Sequence, residues 1–192
     1  MRHHRILSVV ASLALGAAAS LVAVAAPAAA VGQTYYIDAV AGDDNSSGTS
    51  TTNAWKNLSK VNATTFQPGD TILFKSGQTW SGQLHPLGSG SAGSPITIGA
   101  YGSGAKPLIN GGSLPSGWGT GAAVYLVNQQ YWTISGLAVK SNSGVDNFGG
   151  KDEADWKYQR HGILVYNNGA GTLTGITITN NTVSDVNGCF TC

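Results

Sequence analysis

Seven charged residues crowd the interval from Asp146 to Arg160: Asp146, Lys151, Asp152, Glu153, Asp155, Lys157 and Arg160. Trp156, Tyr158 and His161 accompany them. Clustered carboxylates suit Ca²⁺, a hard cation that takes several oxygen ligands, so Asp146, Asp152, Glu153 and Asp155 are the candidate metal ligands. A cation held there could neutralise a uronate carboxylate and acidify its α-proton. Lys157 or Arg160 could then remove that proton, provided its own pKa were lowered. Two of the four carboxylates could instead serve as acid and base on a glycosidic bond. Trp156 and Tyr158 offer ring faces for sugars, and His161 joins them as a substrate contact. The competing reading is a solvated, glycine-flanked loop, with Trp156 covering the layer beneath it.

Other chemistry-bearing residues are sparse. Asp43-Asp44-Asn45-Ser46-Ser47-Gly48 superficially resembles a calcium loop but lacks the closing glutamate of an EF-hand, and it reads as a turn. His85 has no neighbouring ligand candidate and reads as structural or exposed. Cys189 and Cys192 have no partner cysteines and no helix N-terminus beside them, which favours a structural role over a redox or metal one. Asn-x-Ser/Thr sites stand at Asn45, Asn57, Asn62 and Asn180.

The background to that cluster is charge-poor, with 10% of the chain Asp, Glu, Lys or Arg. Such a surface offers no basic field for a phosphate backbone, so nucleic acid is not an expected partner. Arg2, His3, His4 and Arg5 precede an apolar run from Ile6 to Ala26, and Ala28-Ala29-Ala30 follow. That order predicts a secretory signal peptide over 1–30, cut before Val31, and hence an exported protein off the membrane. The remaining residues suffice for one domain with a continuous core.

The elements that must position the cluster are short strands. An apolar–Thr–Ile triplet occurs three times, at Ile96-Thr97-Ile98, Trp132-Thr133-Ile134 and Ile176-Thr177-Ile178. Residues 132–139 lie over 176–183 without a gap, apolar at the first, third and eighth positions of both. Recurrence of a strand, a break and a second strand predicts a solenoid whose units bury their apolar faces on one another. The chain is rich in turn-forming Gly, Ser, Thr and Asn between these strands. The strands are expected at 71–75, 80–84, 96–100, 107–109, 124–127, 132–134, 137–140, 163–166, 176–179 and 182–184, in about four coils. Asn180-Asn181 is placed to form an asparagine stack. One helix is expected over 54–63, with Asn53 as N-cap and Trp55, Leu58 and Val61 along one face. It would cap the N-terminal end of the stack, giving a strand-and-helix region over 31–67 and coils over 68–192. The last residues read as the turn into a further coil, so the chain is expected to be the N-terminal part of a longer one.

These residues also carry a resemblance. Tyr35-Tyr36-Ile37-Asp38, Gly42-Asp43-Asp44, Gly48-Thr49-Ser50, Ala54-Trp55-Lys56-Asn57-Leu58 and Pro68-Gly69-Asp70-Thr71-Ile72-Leu73-Phe74 resemble the N-terminal region of the pectate-lyase-like superfamily. The run from Gly93 to Gly102, with Lys106-Pro107-Leu108-Ile109 behind it, does so too. The resemblance implies an all-β fold, a right-handed parallel β-helix. It also implies a secreted, monomeric protein that acts on polysaccharide in a groove along one face, commonly with calcium and a Lys or Arg base. It does not select among activities, because the motif is shared by lyases and glycoside hydrolases. The leading expectation is lyase-like cleavage of an acidic polysaccharide. The alternatives are a glycoside hydrolase on the same fold and a non-catalytic carbohydrate-binding or adhesive module.

Overall fold

Thr71-Ile-Leu-Phe-Lys75 forms β2, in which burial alternates with the period of a strand that has one face on a core: Ile72 and Phe74 are buried, and Thr71, Leu73 and Lys75 are partly exposed. The computed structural model describes residues 31–112, 114, 121–142, 160–169 and 171–186. Residues 1–30, Cys189 and Cys192 lie outside the described residues. Within them the chain is all-β apart from α1 (Leu58–Asn62). The strands are β1 (Thr34–Ile37), β2 (Thr71–Lys75), β3 (Thr79–Ser81), β4 (Ile96–Tyr101), β5 (Leu108–Asn110) and β6 (Ala122–Val127). They continue with β7 (Trp132–Ser135), β8 (Ala138–Ser141), β9 (His161–Tyr166), β10 (Ile176–Thr179) and β11 (Thr182–Val186).

Among the described residues all strand pairs are parallel, and apart from β1 and β2 the neighbours in a sheet are not consecutive strands of the chain. The first sheet runs β1-β2-β4-β7-β10, the second β11-β8-β5-β3, and the third pairs β6 with β9. The chain thus visits the sheets in turn and returns to the first one layer further on. The third sheet is foreshadowed one layer earlier by a bridge from Leu84 to Val124.

Register explains the repeated triplet. Ile96, Trp132 and Ile176 align, as do Ile98, Ile134 and Ile178, and Ile72 extends the second column. The opposite face carries a column of threonines, Thr34, Thr71, Thr97, Thr133 and Thr177. Trp80, Ile109, Val139 and Val183 form the matching inner column of the second sheet. Ile72, Ile98, Ile109, Ile134 and Val139 are fully buried, each contributing about 1.5–3 kcal/mol relative to exposure. Ile178 and Val183, in the last described layer, are 48% and 51% exposed.

The buried indoles keep their N–H groups bonded, as low-dielectric burial requires. Trp55 Nε1 donates to Ser46 O, Trp80 Nε1 to Lys56 O and Trp132 Nε1 to Gly88 O, at 2.8 to 3.0 Å.

The expected helix over 54–63 is shorter than its apolar spacing suggests. Trp55 takes an extended conformation, bridging Ile37 in parallel, with Trp55 N donating to Tyr36 O and Asp38 N to Trp55 O, both at 2.8 Å. The helix therefore starts at Leu58, and Asn57 rather than Asn53 sits at its N-cap, without a side-chain capping bond. Trp55, Leu58 and Val61 nevertheless all enter the core, and Trp55 stacks on Tyr35 at 4.8 Å between ring centroids.

The 43–48 loop is a turn, and its carboxylates serve the backbone. Asp44 accepts from Lys56 N and Asn57 N through Oδ1 and from Asn57 Nδ2 through Oδ2. Burial pushes its pKa up, but these bonds and the charge of Lys60 outweigh that and hold it below the ordinary value.

The asparagine stack takes a different form. Asn181 bonds the layer before it through backbone, not through another amide: its Oδ1 accepts from Leu137 N at 2.9 Å and its Nδ2 donates to Ile134 O at 2.8 Å. The turn between β7 and β8 leaves those two groups outside the ladder, and a single amide serves both.

Candidate functional site: the corner between the second and third sheets

The passage from the second sheet to the third changes from layer to layer. Between β3 and Leu84 it needs only Gly82 and Gln83. Between β5 and β6 it runs from Gly111 to Gly121, and between β8 and β9 from Asn142 to Arg160. Loops on a rigid scaffold are where binding residues concentrate, and the two longer excursions leave the same corner of adjacent layers. The charged interval from Asp146 to Arg160 is the larger part of the longer one.

The feet of both excursions are closely tied. Gly111 N donates to Lys140 O at 2.7 Å, continuing the second sheet's pairing into the corner. Gly121 O accepts from Ser141 Oγ at 2.8 Å and from His161 N at 3.1 Å. One carbonyl of the shorter excursion therefore gathers both ends of the longer one. Asn110 Oδ1 accepts from Gly112 N at 3.1 Å. A Cβ at Gly112 would stand 2.5 Å from Asn142 O, so only glycine lets the two strand ends approach this closely.

Arg160 joins the excursions from the side. It is buried, with 8% of its surface exposed, and its Nη2 donates to Leu114 O at 2.7 Å and its Nη1 to Gly111 O at 3.4 Å. Burial lowers its pKa. His161, the first residue of β9, is half-buried, and burial pushes its imidazole below the ordinary range, favouring the neutral ring. On the outer side of β8, Lys140 Nζ meets Asp185 Oδ2 at 2.6 Å, an exposed pair.

Of the candidate residues, the structure brings Arg160 and His161 to this corner. Lys157, Trp156, Tyr158, Asp146, Asp152, Glu153 and Asp155 lie outside the described residues. His85, expected to be structural or exposed, is partly buried: it stacks on Tyr125 at 5.0 Å, and its Nδ1 lies 2.8 Å from Tyr125 O. Among the described residues, no three His, Cys, Asp or Glu side chains gather as a metal site.

A second polar cluster has no counterpart in the sequence reading. Asp38, just beyond β1, is buried and faces Lys75 and Gln78, with Tyr101 on the neighbouring strand. Its only sequence trace is the Asp38 that closes the Tyr-Tyr-Ile-Asp run. A hollow of about 490 Å³ lies elsewhere, between α1 and β3, lined by Lys56, Asn57, Leu58, Thr79 and Trp80 among others. It shares no residue with the corner and holds no acid–base pair.

No family model matches the chain. The chain is 30% identical over 195 residues to a lacto-N-biosidase of Bifidobacterium longum subsp. longum, an alignment covering 82% of this chain and 12% of that protein. Its structure is similar to that of a GH136 lacto-N-biosidase from Eubacterium ramulus, with 32% identity and a TM-score of 0.70 for the native protein. The selenomethionine derivative of the same enzyme gives a TM-score of 0.69. Both superpositions cover 82% of this chain and 28% of the other. The chain therefore spans about an eighth of the curated relative's length and little more than a quarter of the solved one.

Proposed function

We propose that the three parallel sheets are the faces of a right-handed parallel β-helix, and that this chain is part of an exported glycoside hydrolase acting on an oligosaccharide. The observation that carries the reading is the likeness to a GH136 lacto-N-biosidase over 82% of the chain, at 32% identity and a TM-score of 0.70. It favours hydrolysis over the lyase-like cleavage expected from the sequence, since the proteins that this chain resembles are named for cleaving a glycoside. The two long connections start and end at one corner of a rigid stack, where Gly121 O bonds both Ser141 and His161, and that common origin supports placing the sugar there.

On this reading, two of Asp146, Asp152, Glu153 and Asp155 are the acid and base. A protonated carboxyl delivers its proton to the leaving oxygen, while an ionised one attacks the anomeric carbon or activates water. Trp156 and Tyr158 stack on the sugar, and His161, held neutral by burial, donates or accepts one hydrogen bond to a hydroxyl. Arg160 and Gly121 hold the feet of the excursions in place.

The test compares two substrates on the full chain and on each single carboxylate variant. An aryl lacto-N-bioside reports hydrolysis by release of the phenol, and oligogalacturonate reports elimination by an ultraviolet-absorbing unsaturated product. Phenol release that falls at least a hundredfold in one carboxylate variant supports the reading. The unsaturated product, or turnover indifferent to all four carboxylates, overturns it.

A further inference from the structure

Each later strand of the first sheet is followed by a strand of the second: β2 by β3, β4 by β5, β7 by β8 and β10 by β11. β1 has no such mate, so the second sheet starts at β3 with an open edge. The hollow of about 490 Å³ lies at that edge, with Thr79, Trp80 and Ser81 on one side and Ala39, Lys56 and Leu58 on the other. Register shows what β3 presents to it. Toward β5, Leu108 N donates to Gln78 O and Gly82 N to Asn110 O, both at 2.9 Å. Along a parallel strand the N–H and C=O of one residue point to one side, and the next residue's to the other. Gln78, Trp80 and Gly82 therefore face β5, while Thr79 and Ser81 turn their backbone groups toward the hollow. Both residues are exposed, and among the described residues no backbone bond reaches them from across the hollow. Side chains join the two walls instead. Trp80 Nε1 donates to Lys56 O at 2.8 Å, and Gln78 Oε1 accepts from Ala39 N at 2.6 Å.

We propose that this slot takes an extended, acidic segment of a partner protein, which adds as a strand to the free edge of β3. An edge with unpaired N–H and C=O groups is a template for another chain, and main-chain bonds then supply the affinity. Thr79 and Ser81 stand two residues apart, about 6.6–6.8 Å along the strand, which is the repeat of an extended peptide. The sheet also sets the segment's chemistry. Its central side chain stands over Trp80, at the head of the apolar column of Ile109 and Val139 and beside Leu58, and so is apolar. The side chains on either side follow Thr79 and Ser81 into solvent and are polar. Lys56 is exposed and belongs to neither ion pair of the described residues, so a carboxylate among them finds its complement. A sugar fits less well, because Trp80 is 4% exposed and offers no ring face for stacking. The inference concerns the N-terminal layer and does not depend on the glycoside hydrolase reading.

The full chain, labelled with ¹⁵N, is titrated with the peptide N-acetyl-Ser-Thr-Val-Asp-Ser-amide, and the Thr79 and Ser81 amide resonances report. Saturable shifts of both below about 10 mM support the site. The valine, aligned with Trp80, directs its N–H at β3, so the N-methylvaline peptide should bind about fivefold or more weakly for loss of one bond. The peptide with asparagine in place of aspartate should also bind more weakly at low salt, and equal binding would strike the acidic character of the partner. On the protein, Ser81→Pro removes the N–H that faces the hollow and spares the ladder to β5, and it should weaken the peptide likewise. Should that variant not fold, the N-methylated peptide still decides. Lactose is the sugar control. Shifts at Thr79 and Ser81 with lactose and none with the peptide would make the hollow a sugar site and overturn the proposal. Silence with the parent peptide, or equal affinity for its N-methylated form, overturns it too.

Discussion

Lys75 Nζ lies 2.6 Å from Asp38 Oδ2, joining the second strand of the first sheet to the residue that leaves the first strand. The pair is lopsided: the Asp38 side chain is 3% exposed and that of Lys75 43%. Asp38 also accepts from Gln78 Nε2, Val40 N and Ala41 N through Oδ1. Its value therefore lies in ordering the chain as it leaves β1, more than in attraction to a solvated lysine. Burial alone would raise the pKa of Asp38, but bonds from Ala41, Lys75, Gln78 and Val40 prevail and hold it well below the carboxylate range.

A carboxyl depressed in the folded state stabilises the fold above its unfolded pKa, and that contribution is lost as pH falls toward the folded one. Asp38→Asn should cost about 2 kcal/mol at neutral pH, the scale of hydrogen bonds to a charged group. The difference from wild type should be constant above about pH 5 and shrink progressively below about pH 4, where an unfolded Asp takes up its proton. Urea unfolding of both proteins at pH 7, 4 and 2.5 checks the sign. A gap that widened in acid would contradict the assignment.

Tyr101 presents the opposite case. Its hydroxyl is buried with no hydrogen-bond partner among the described residues, and its ring meets that of Tyr36 edge-on at 5.2 Å. Burial, with Asp38 and Tyr36 nearby, pushes its pKa up to about 12. Tyr101→Phe should therefore be neutral or stabilising, within about 0.5 kcal/mol, since no bond is lost and a desolvated hydroxyl is removed. A group whose folded pKa is raised stabilises below its unfolded pKa, and the contribution fades as pH climbs from about 10 toward 12. Ultraviolet titration near pH 10 should accordingly give the same amplitude for the folded wild type and folded Tyr101→Phe, and one tyrosine more for the wild type once both are unfolded. A bonded hydroxyl would instead make the phenylalanine variant less stable by 1 kcal/mol or so.

Gly48 lies against the indole of Trp55, a member of the core. Its φ is +76°, and an added Cβ would stand 2.5 Å from Trp55 Cε2. Gly48→Ala combines a strained backbone with an intruding methyl group, and it should cost about 2–4 kcal/mol. Loss of the stack on Tyr35 would appear in near-ultraviolet dichroism before global unfolding. An unchanged spectrum and melting temperature would mean that the indole does not rest on this turn.

The lattice of strands was legible because side chains one layer apart must match. Ile176-Thr-Ile lies over Trp132-Thr-Ile in the sequence and in the sheet alike, and Val183 falls on Val139 as the gapless match requires. Local pattern misled where tertiary pairing competed with it. Trp55, Leu58 and Val61 are spaced for a helix, but Trp55 is drawn into extended pairing with Ile37, and the helix loses its first turn. The site was harder to read. The excess of charge between Asp146 and Arg160 falls in the longer connection at this corner, but the contacts at its feet use Gly111, Gly121 and Leu114, whose contribution is a backbone carbonyl. Such groups have no side-chain signature. Asp38 was hidden differently, since its partners Lys75 and Gln78 are about forty positions away and meet it only through the sheet.

Asn181 gives a further prediction about how one layer grips the next. Its amide accepts from Leu137 N and donates to Ile134 O, so both atoms are engaged by the turn between β7 and β8. Asn181→Ala should cost about 1–3 kcal/mol, because two backbone groups lose their partners. Asn181→Asp keeps the acceptor for Leu137 N but turns an oxygen toward Ile134 O, and it should be no less damaging at neutral pH. Hydrogen exchange locates the effect: Leu137 N–H should lose protection ahead of the strand amides on either side. Uniform loss of protection would place the stabilising role of Asn181 elsewhere.

The isoleucine column separates burial from position within the repeat. Ile134 and Ile178 occupy equivalent places and pair directly, but Ile134 is fully buried and Ile178 is 48% exposed. If the repeat motif itself set stability, alanine at either site would have the same effect. If covering of apolar surface sets it, Ile134→Ala should cost about 2–5 kcal/mol, the range for emptying a core site. Ile178→Ala should cost about half of that or less, because much of its surface already meets water. Denaturant unfolding of the two variants decides between these, and equal losses would reject the burial account. The same comparison at Val139, buried, and Val183, 51% exposed, should give the same ordering in the second sheet, since these two residues pair directly as Ile134 and Ile178 do.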